Sequence, residues 1–201
     1  MKLYHNPASP YVRKVRVLLS EIGMEDHVEL VSVAGHPTDP GTLPIKLNPL
    51  GKIPALERQD GATLYDSRVI CRFLSDMADG ALYPAKPRLW ETLTLEATAD
   101  GILDAAILMV YEGRSRAADK RDETWVDGHW SKITRSLDAI ETRWMSHLGG
   151  PLDMGQVSVG CALGYLDFRQ SDRNWRATRP ALAEWYTGFA ERKSMADTAP
   201  A

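Results

Sequence analysis

Val12, Val15, Leu18, Leu19 and Ile22 recur at three- to four-residue spacing, which predicts a helix with one apolar face. Ser9 at the cap position and Pro10 at the first helical position mark its start, because serine satisfies an orphan N–H and proline lacks one. Gly23 suits the position just past its end. Arg13, Lys14 and Arg16 fall on the opposite face and read as its polar side. Lys2-Leu3-Tyr4 is a short strand, and residues 27–33 alternate apolar and polar as a half-buried strand does. Strand, helix and strand make a βαβ unit, with a right-handed crossover if the strands are parallel.

Residues 34–44 are rich in Gly, Pro, Thr and Asp and read as loop, with a short helical turn expected over 41–47. Asn48-Pro49 and Gly51 are turn chemistry, and Ile53-Pro54 leads into a strand over 55–58. On sequence alone a trans Ile53–Pro54 bond is favoured. A second strand over 63–65 completes a hairpin. Asp66-Ser67 then opens a helix carrying Val69, Ile70, Phe73 and Leu74, with Ser67 as the expected cap. Tyr83 to Pro87 reads as a linker, and beyond it the strand pattern disappears. Helices are expected over 88–116, 122–148, 157–168 and 180–190, followed by a loose tail. Asp153 and Gln156 resemble a capping box ahead of the third of these. The chain therefore reads as two domains, 1–78 and 88–201, the first α/β and the second all-α.

Composition narrows the function classes. Of 201 residues, 44% are hydrophobic and 25% charged, ordinary for a globular chain. The net charge of −3 gives no broad basic surface for nucleic acid. No apolar run has the length of a membrane span, and no secretory signal opens the chain, so a cytoplasmic protein is expected. Cys71 and Cys161 form no CxxC or Cys/His set and are expected as buried free thiols. The five histidines have no metal-ligand spacing, so no metal site is expected.

A hydroxyl at a helix N-terminus just after a strand is a place where an anion can be held, but on this stretch alone a plain cap is the simpler reading of Ser9. Three separated motifs add to the anion reading. Ser9-Pro-Tyr-Val-Arg-Lys-Val-Arg, Asn48-Pro-Leu-Gly-Lys-Ile-Pro-Ala-Leu, and Asp66-Ser67 before a helix resemble the thioredoxin-like domain of the cytosolic glutathione transferases. The run from Cys161 to Arg169 resembles the small bacterial branch of that superfamily, here with serine at the active-site position. The resemblance implies the glutathione transferase fold, an N-terminal thioredoxin-like domain followed by a C-terminal helical bundle, and a cis Pro54. It implies glutathione as co-substrate with no further cofactor, a small apolar electrophile as second substrate, and a homodimer. The chemistry implied is conjugation or a related glutathione reaction of the detoxification type.

The resemblance also implies roles for particular residues. Ser9 faces the glutathione sulfur as a donor, with the Tyr11 N–H as a substitute. Ile53, ahead of Pro54, presents its main chain to the cysteinyl unit. Asp66 and Ser67 hold the γ-glutamyl end, and His36 and Lys52 reach the glycine carboxylate. Asp100, Asp104 and Arg68 are candidates for contacts across a dimer. Met109, Tyr111, Trp125 and Trp130 are candidates for the electrophile wall. Serine in place of cysteine at position 9 excludes mixed-disulfide chemistry there. In the family the capping box of the buried helix is usually Ser or Thr with Asp three residues on; Asp153 and Gln156 depart from that pattern. A non-catalytic interaction or ligand-binding module on the same fold is the alternative reading.

Overall fold

The computed structural model describes residues 1–200. The chain divides into two compact units, one formed by Met1–Ala85 with the stretch that begins at Lys193, the other by Lys86–Arg192.

In the first unit, β1 (Lys2–His5) lies at the centre of a three-stranded sheet. It pairs in parallel with β2 (Glu29–Ser32) and antiparallel with β3 (Ala55–Glu57). Leu3, Ala55 and Leu56 are fully buried. The second strand starts later than its alternation suggests, because Glu25–His27 form a 3-10 turn. Val31 and Val33 then share a face, while Leu30 is 43% exposed. The hairpin partner over 63–65 is reduced to one bridge, Leu56 with Leu64, joined by two 2.9 Å hydrogen bonds. Residues 41–47 form turns rather than a helix.

Helix α1 (Pro10–Glu21) buries Val12, Val15, Leu18 and Leu19 as its spacing predicts. It ends in a Schellman motif: Met24 N–H donates to Leu19 C=O and Gly23 N–H to Ser20 C=O. Gly23 has φ +68°, a conformation that glycine adopts without a Cβ penalty. The face taken as polar is not exposed: Arg13 and Lys14 are buried. The reason for Arg13 lies at the far end of the chain, where its guanidinium donates to Met195 C=O at 2.9 Å. The tail is accordingly not loose. Residues 193–200 group with the first unit, whereas the expected helical domain ran over 88–201. Ser194, Met195 and Thr198 are buried, and Ser194 Oγ donates to Glu21. Ala201, the end of that range, lies outside the described residues. Helix α2 (Ser67–Met77) packs beside α1 through Ile70, Cys71 and Leu74.

The second unit is helical. It contains α3 (Arg88–Ser115), α4 (Glu123–Arg143), the single turn α5 (Met145–Leu148), α6 (Met154–Arg169) and α7 (Pro180–Ala190). The helix expected over 122–148 is therefore interrupted at Trp144. Helix α6 is the core of this unit, buried from Met154 to Leu166, and it packs mainly on α3. A Cβ on Gly155 would lie 3.0 Å from Leu95 Cβ, so the small residue permits that close approach. The Asp153/Gln156 capping box forms, and α6 begins at Met154 rather than Val157. Among the described residues no helix is long and apolar enough to cross a membrane, and Cys71 and Cys161 are buried and form no disulfide.

Candidate active site

The strand register shows where the predicted residues of the first unit lie. Tyr4 pairs with Ala55, so Ile53-Pro54 lies beside the C-terminal end of β1, from which the Asn6–Ser9 loop departs. Leu64 pairs with Leu56 antiparallel, so Asp66 comes back opposite Pro54. Strand β2 ends level with His5, and the loop holding His36 leaves from the same end. Ser9, Ile53, Pro54, Asp66 and Ser67 thus converge outside the carboxyl ends of the two parallel strands. Such crevices are where open α/β sheets hold ligands.

Ser9 is the N-cap of α1, with φ −83° and ψ 119°. Its Oγ accepts from Val12 N–H at 3.4 Å, and among the described residues its hydroxyl proton has no acceptor. Tyr11, at the second helical position, supplies the first N–H of the same helix, because Pro10 has none. Asn6, to which the sequence reading assigned no role, builds the loop. Its Oδ1 accepts from Ala8 N–H at 3.0 Å, its Nδ2 donates to Val33 C=O at 3.2 Å, and its C=O accepts from Ser9 N–H. One side chain thereby ties the Ser9 loop to the end of β2. An Asn-Pro pair between a strand and a helix was the available signal.

The Ile53–Pro54 bond is cis, as are Tyr65–Asp66 and Lys86–Pro87. Among the described residues, neither the N–H nor the C=O of Ile53 makes a hydrogen bond. The loop before it is clamped by Asn48, also unassigned from sequence and 1% exposed. Asn48 Nδ2 donates to Lys52 C=O at 2.8 Å, and its Oδ1 accepts from Leu50 N–H at 3.1 Å.

Asp66, not Ser67, caps α2. Its Oδ1 accepts from Arg68 N–H at 3.0 Å, and its Oδ2 lies 3.2 Å from the Arg68 guanidinium. Ser67 is the first helical residue, and it is buried. Asp has the sharper geometry for the cap because its carboxylate reaches the second N–H from outside the helix. His36 is exposed, with Nδ1 2.9 Å from Thr38 Oγ1, and Lys52 is exposed. At the sheet end, burial, then Arg16, lowers the pKa of His5, whose Nε2 lies 3.2 Å from Ser32 Oγ. Further along the strand, Tyr4 donates to Glu57 at 2.8 Å, and that bond holds its phenol above the usual range.

In the second unit, Asp100 is buried and Asp104 exposed, one turn apart on α3. Met109 is core. Tyr111 is half-buried and Trp125 is 51% exposed, edge-on to His129. Trp130 lies under the Arg173 guanidinium. A cleft of about 680 Å³ opens between the end of α3 and the start of α4. Of its acids, Glu112 is held by Arg116 and the Asp122 N–H, Asp122 accepts from the Trp125 N–H, and Asp127 pairs with Arg173. Among the described residues no group of three His, Cys, Asp or Glu could hold a metal ion.

A crevice of main-chain groups and helix N-termini, with one undirected hydroxyl proton, suits a peptide-like anion. Residues 8–77 match the glutathione S-transferase N-terminal domain, and residues 123–188 match the glutathione S-transferase C-terminal domain. An uncharacterized GST-like protein of Escherichia coli (strain K12), YibF, is 32% identical over all of this chain and 98% of its own length. A glutathione transferase family member from Pseudomonas fluorescens Pf-5, solved with bound glutathione, is 46% identical with a TM-score of 0.96, covering 100% of this chain and 98% of that one. The same family member solved with S-(propanoic acid)-glutathione gives 45% identity, a TM-score of 0.92 and full coverage of both chains. The chain belongs to the glutathione transferase family.

Proposed function

We propose that this chain binds glutathione in the crevice of its first unit, stabilises the thiolate through Ser9, and transfers it to a small electrophile. The observation that carries the reading is the Ser9 hydroxyl, held at the N-terminus of α1 with its proton unclaimed. The free thiol has a pKa of about 8.5, and lowering it by two units requires about 2.7 kcal/mol of preference for the anion. A hydrogen bond to a charged group supplies about 1.5–3 kcal/mol. A helix N-terminus adds about 0.3–1 kcal/mol, up to about 2 when partly buried. Together these suffice without a general base. The Tyr11 N–H is the reserve donor.

The remaining parts of glutathione have matching groups. The unpaired N–H and C=O of Ile53 offer the cysteinyl unit the bonds of an added strand. The γ-glutamyl carboxylate meets the N-terminus of α2 at Ser67, and its ammonium meets Asp66. Lys52 and His36 attract the glycine carboxylate. We further infer a homodimer, with Arg68 of the first unit and Asp100 and Asp104 of the second as the residues assigned to contacts across it. To the electrophile we assign Tyr111 and Trp125 of the second unit. The bound S-(propanoic acid)-glutathione of the relative from P. fluorescens supports a small acceptor.

The test is the thiolate absorbance of glutathione added to the protein at neutral pH. A saturable rise that Ser9→Ala diminishes by tenfold or more supports the assignment. Binding by calorimetry without any rise removes Ser9 from the role of thiolate donor.

A further inference from the structure

Strand β1 stops where Pro7 cannot extend it. In the parallel pairing of β1 with β2, His5 lies opposite Ser32, and Val33 N–H donates to His5 C=O at 2.9 Å. The next rung of such a ladder runs from the N–H of residue 7 to Val33 C=O. Pro7 has no N–H to give. The Asn6 side chain takes that rung instead, its Nδ2 donating to Val33 C=O at 3.2 Å. The same side chain also turns back on its own loop, where Oδ1 accepts from Ala8 N–H at 3.0 Å. The Asn6 C=O closes the turn by accepting from Ser9 N–H at 3.0 Å, with Pro7 at the turn position that proline favours. One residue thus fixes the chain from the last pair of β1 to the cap of α1.

These bonds decide where the Ser9 hydroxyl points. Its own cap bond is too long to do so, because Val12 N–H lies 3.4 Å from Oγ, outside the usual range of about 2.7–3.2 Å. What remains is the backbone at Ser9, with φ −83° and ψ 119°, which sets the direction of its Cβ. The Asn6 turn holds that backbone on one side. On the other, Arg13 N–H donates to Ser9 C=O at 3.0 Å. A donor to a developing anion works best when it is aimed before the ligand arrives, since a hydrogen bond weakens steeply as it bends. A plain turn accounts for the bonds of Ala8 and Ser9. It does not account for an amide that replaces a missing rung of the sheet and so anchors the Ser9 loop to the end of β2.

We infer that Asn6 is a positioning residue for thiolate formation: by completing the β1–β2 ladder in place of Pro7, it aims the Ser9 hydroxyl at the glutathione sulfur. The inference rests on the glutathione reading above and adds to it a residue that acts only through Ser9.

The test compares the full chain with Asn6→Ala, Ser9→Ala and the double variant. It reads the thiolate absorbance of saturating glutathione as a function of pH. It also reads, by calorimetry, the affinity for S-methylglutathione, which has no thiol to ionise. Asn6→Ala should lower the thiolate fraction at neutral pH about fivefold, the effect of roughly one net hydrogen bond, and move the titration to higher pH. Its affinity for S-methylglutathione should stay within about twofold of the wild type, since the bonds lost are not to the ligand. Ser9→Ala and the double variant should show the same residual signal, because residues that act through one group do not add. Asn6→Ser keeps an acceptor for Ala8 N–H without reaching Val33, and it is read in place of the alanine variant if that one does not fold. A titration in Asn6→Ala that matches the wild type overturns the proposal. A parallel fall in S-methylglutathione affinity also overturns it, by making Asn6 a support of the whole crevice, as does a further loss of signal in the double variant. If the wild type binds glutathione without a thiolate rise, the role of Ser9 falls first and this inference falls with it. If the wild type does not bind glutathione at all, the glutathione reading itself falls.

Discussion

Replacing Asp153 should destabilise the chain far more than loss of a helix cap would. Its carboxylate is 2% exposed and accepts five hydrogen bonds. Oδ1 takes Gly155 N–H at 3.0 Å and Gln156 N–H at 3.3 Å. Oδ2 takes Thr92 Oγ1 at 2.9 Å, Arg88 at 3.2 Å and His147 Nε2 at 2.7 Å. Loss of an N-cap costs about 1 kcal/mol. Thr92 and His147, both buried, would each lose a partner at about 1–3 kcal/mol. Arg88 is 31% exposed in its side chain and can turn to water. Asp153→Ala should therefore cost about 4 kcal/mol. For a chain of this length that lowers Tm by roughly 8–16 °C. Asp153→Ser separates the two contributions, since a serine hydroxyl restores the cap but does not reach the three donors on Oδ2. It should still cost about 3 kcal/mol in urea unfolding at pH 7. A serine variant within about 0.5 kcal/mol of the wild type would refute the reasoning, because the cap alone would then account for the residue.

The other predictions concern the helical unit. His129 is 5% exposed, and neither ring nitrogen has a hydrogen-bond partner among the described residues. Burial, then Lys132, lowers its pKa from the ordinary 6.5. The unfolded chain binds this proton more readily than the folded one, so the contribution is present above about pH 6.5 and lost as pH falls below it. His129→Leu should flatten that part of the stability profile and exceed the wild type at pH 5.5, as read by urea midpoints; an unchanged profile would assign the slope elsewhere. Glu141 accepts from the N–H groups of Ala181 and Leu182 at 3.1 and 2.7 Å, capping α7 from α4. Glu141→Ala should cost about 1–2 kcal/mol, with exchange protection lost first in the opening turn of α7.

Local chemistry was legible where a signal and its consequence lie within a few residues of each other. Ser9-Pro10 opens α1, Gly23 ends it, and Asp153 with Gln156 opens α6, since capping and turn rules involve only neighbouring backbone. The apolar spacings of α1 and α2 likewise reported the faces that are buried. The exposure of the other face of α1 was misjudged because one residue satisfies another far away: Arg13 is buried and donates to Met195 C=O. Two readings within short segments also differed, since the hairpin strand shrank to a bridge and the cap of α2 passed from Ser67 to Asp66.

By itself the sequence determined most of the elements, the family resemblance and the residue types of the candidate crevice, because periodicity, caps and short motifs are properties of contiguous chain. Only the tertiary structure decided that Arg13 is buried under Met195, that Asn6 and Asn48 clamp the crevice loops, and that Asp153 gathers Arg88, Thr92 and His147. The partners of Arg13, Arg88 and Thr92 lie 61 to 182 residues away and share no local pattern with them, and whether any polar group is satisfied or orphaned depends on which partners folding brings within hydrogen-bond reach.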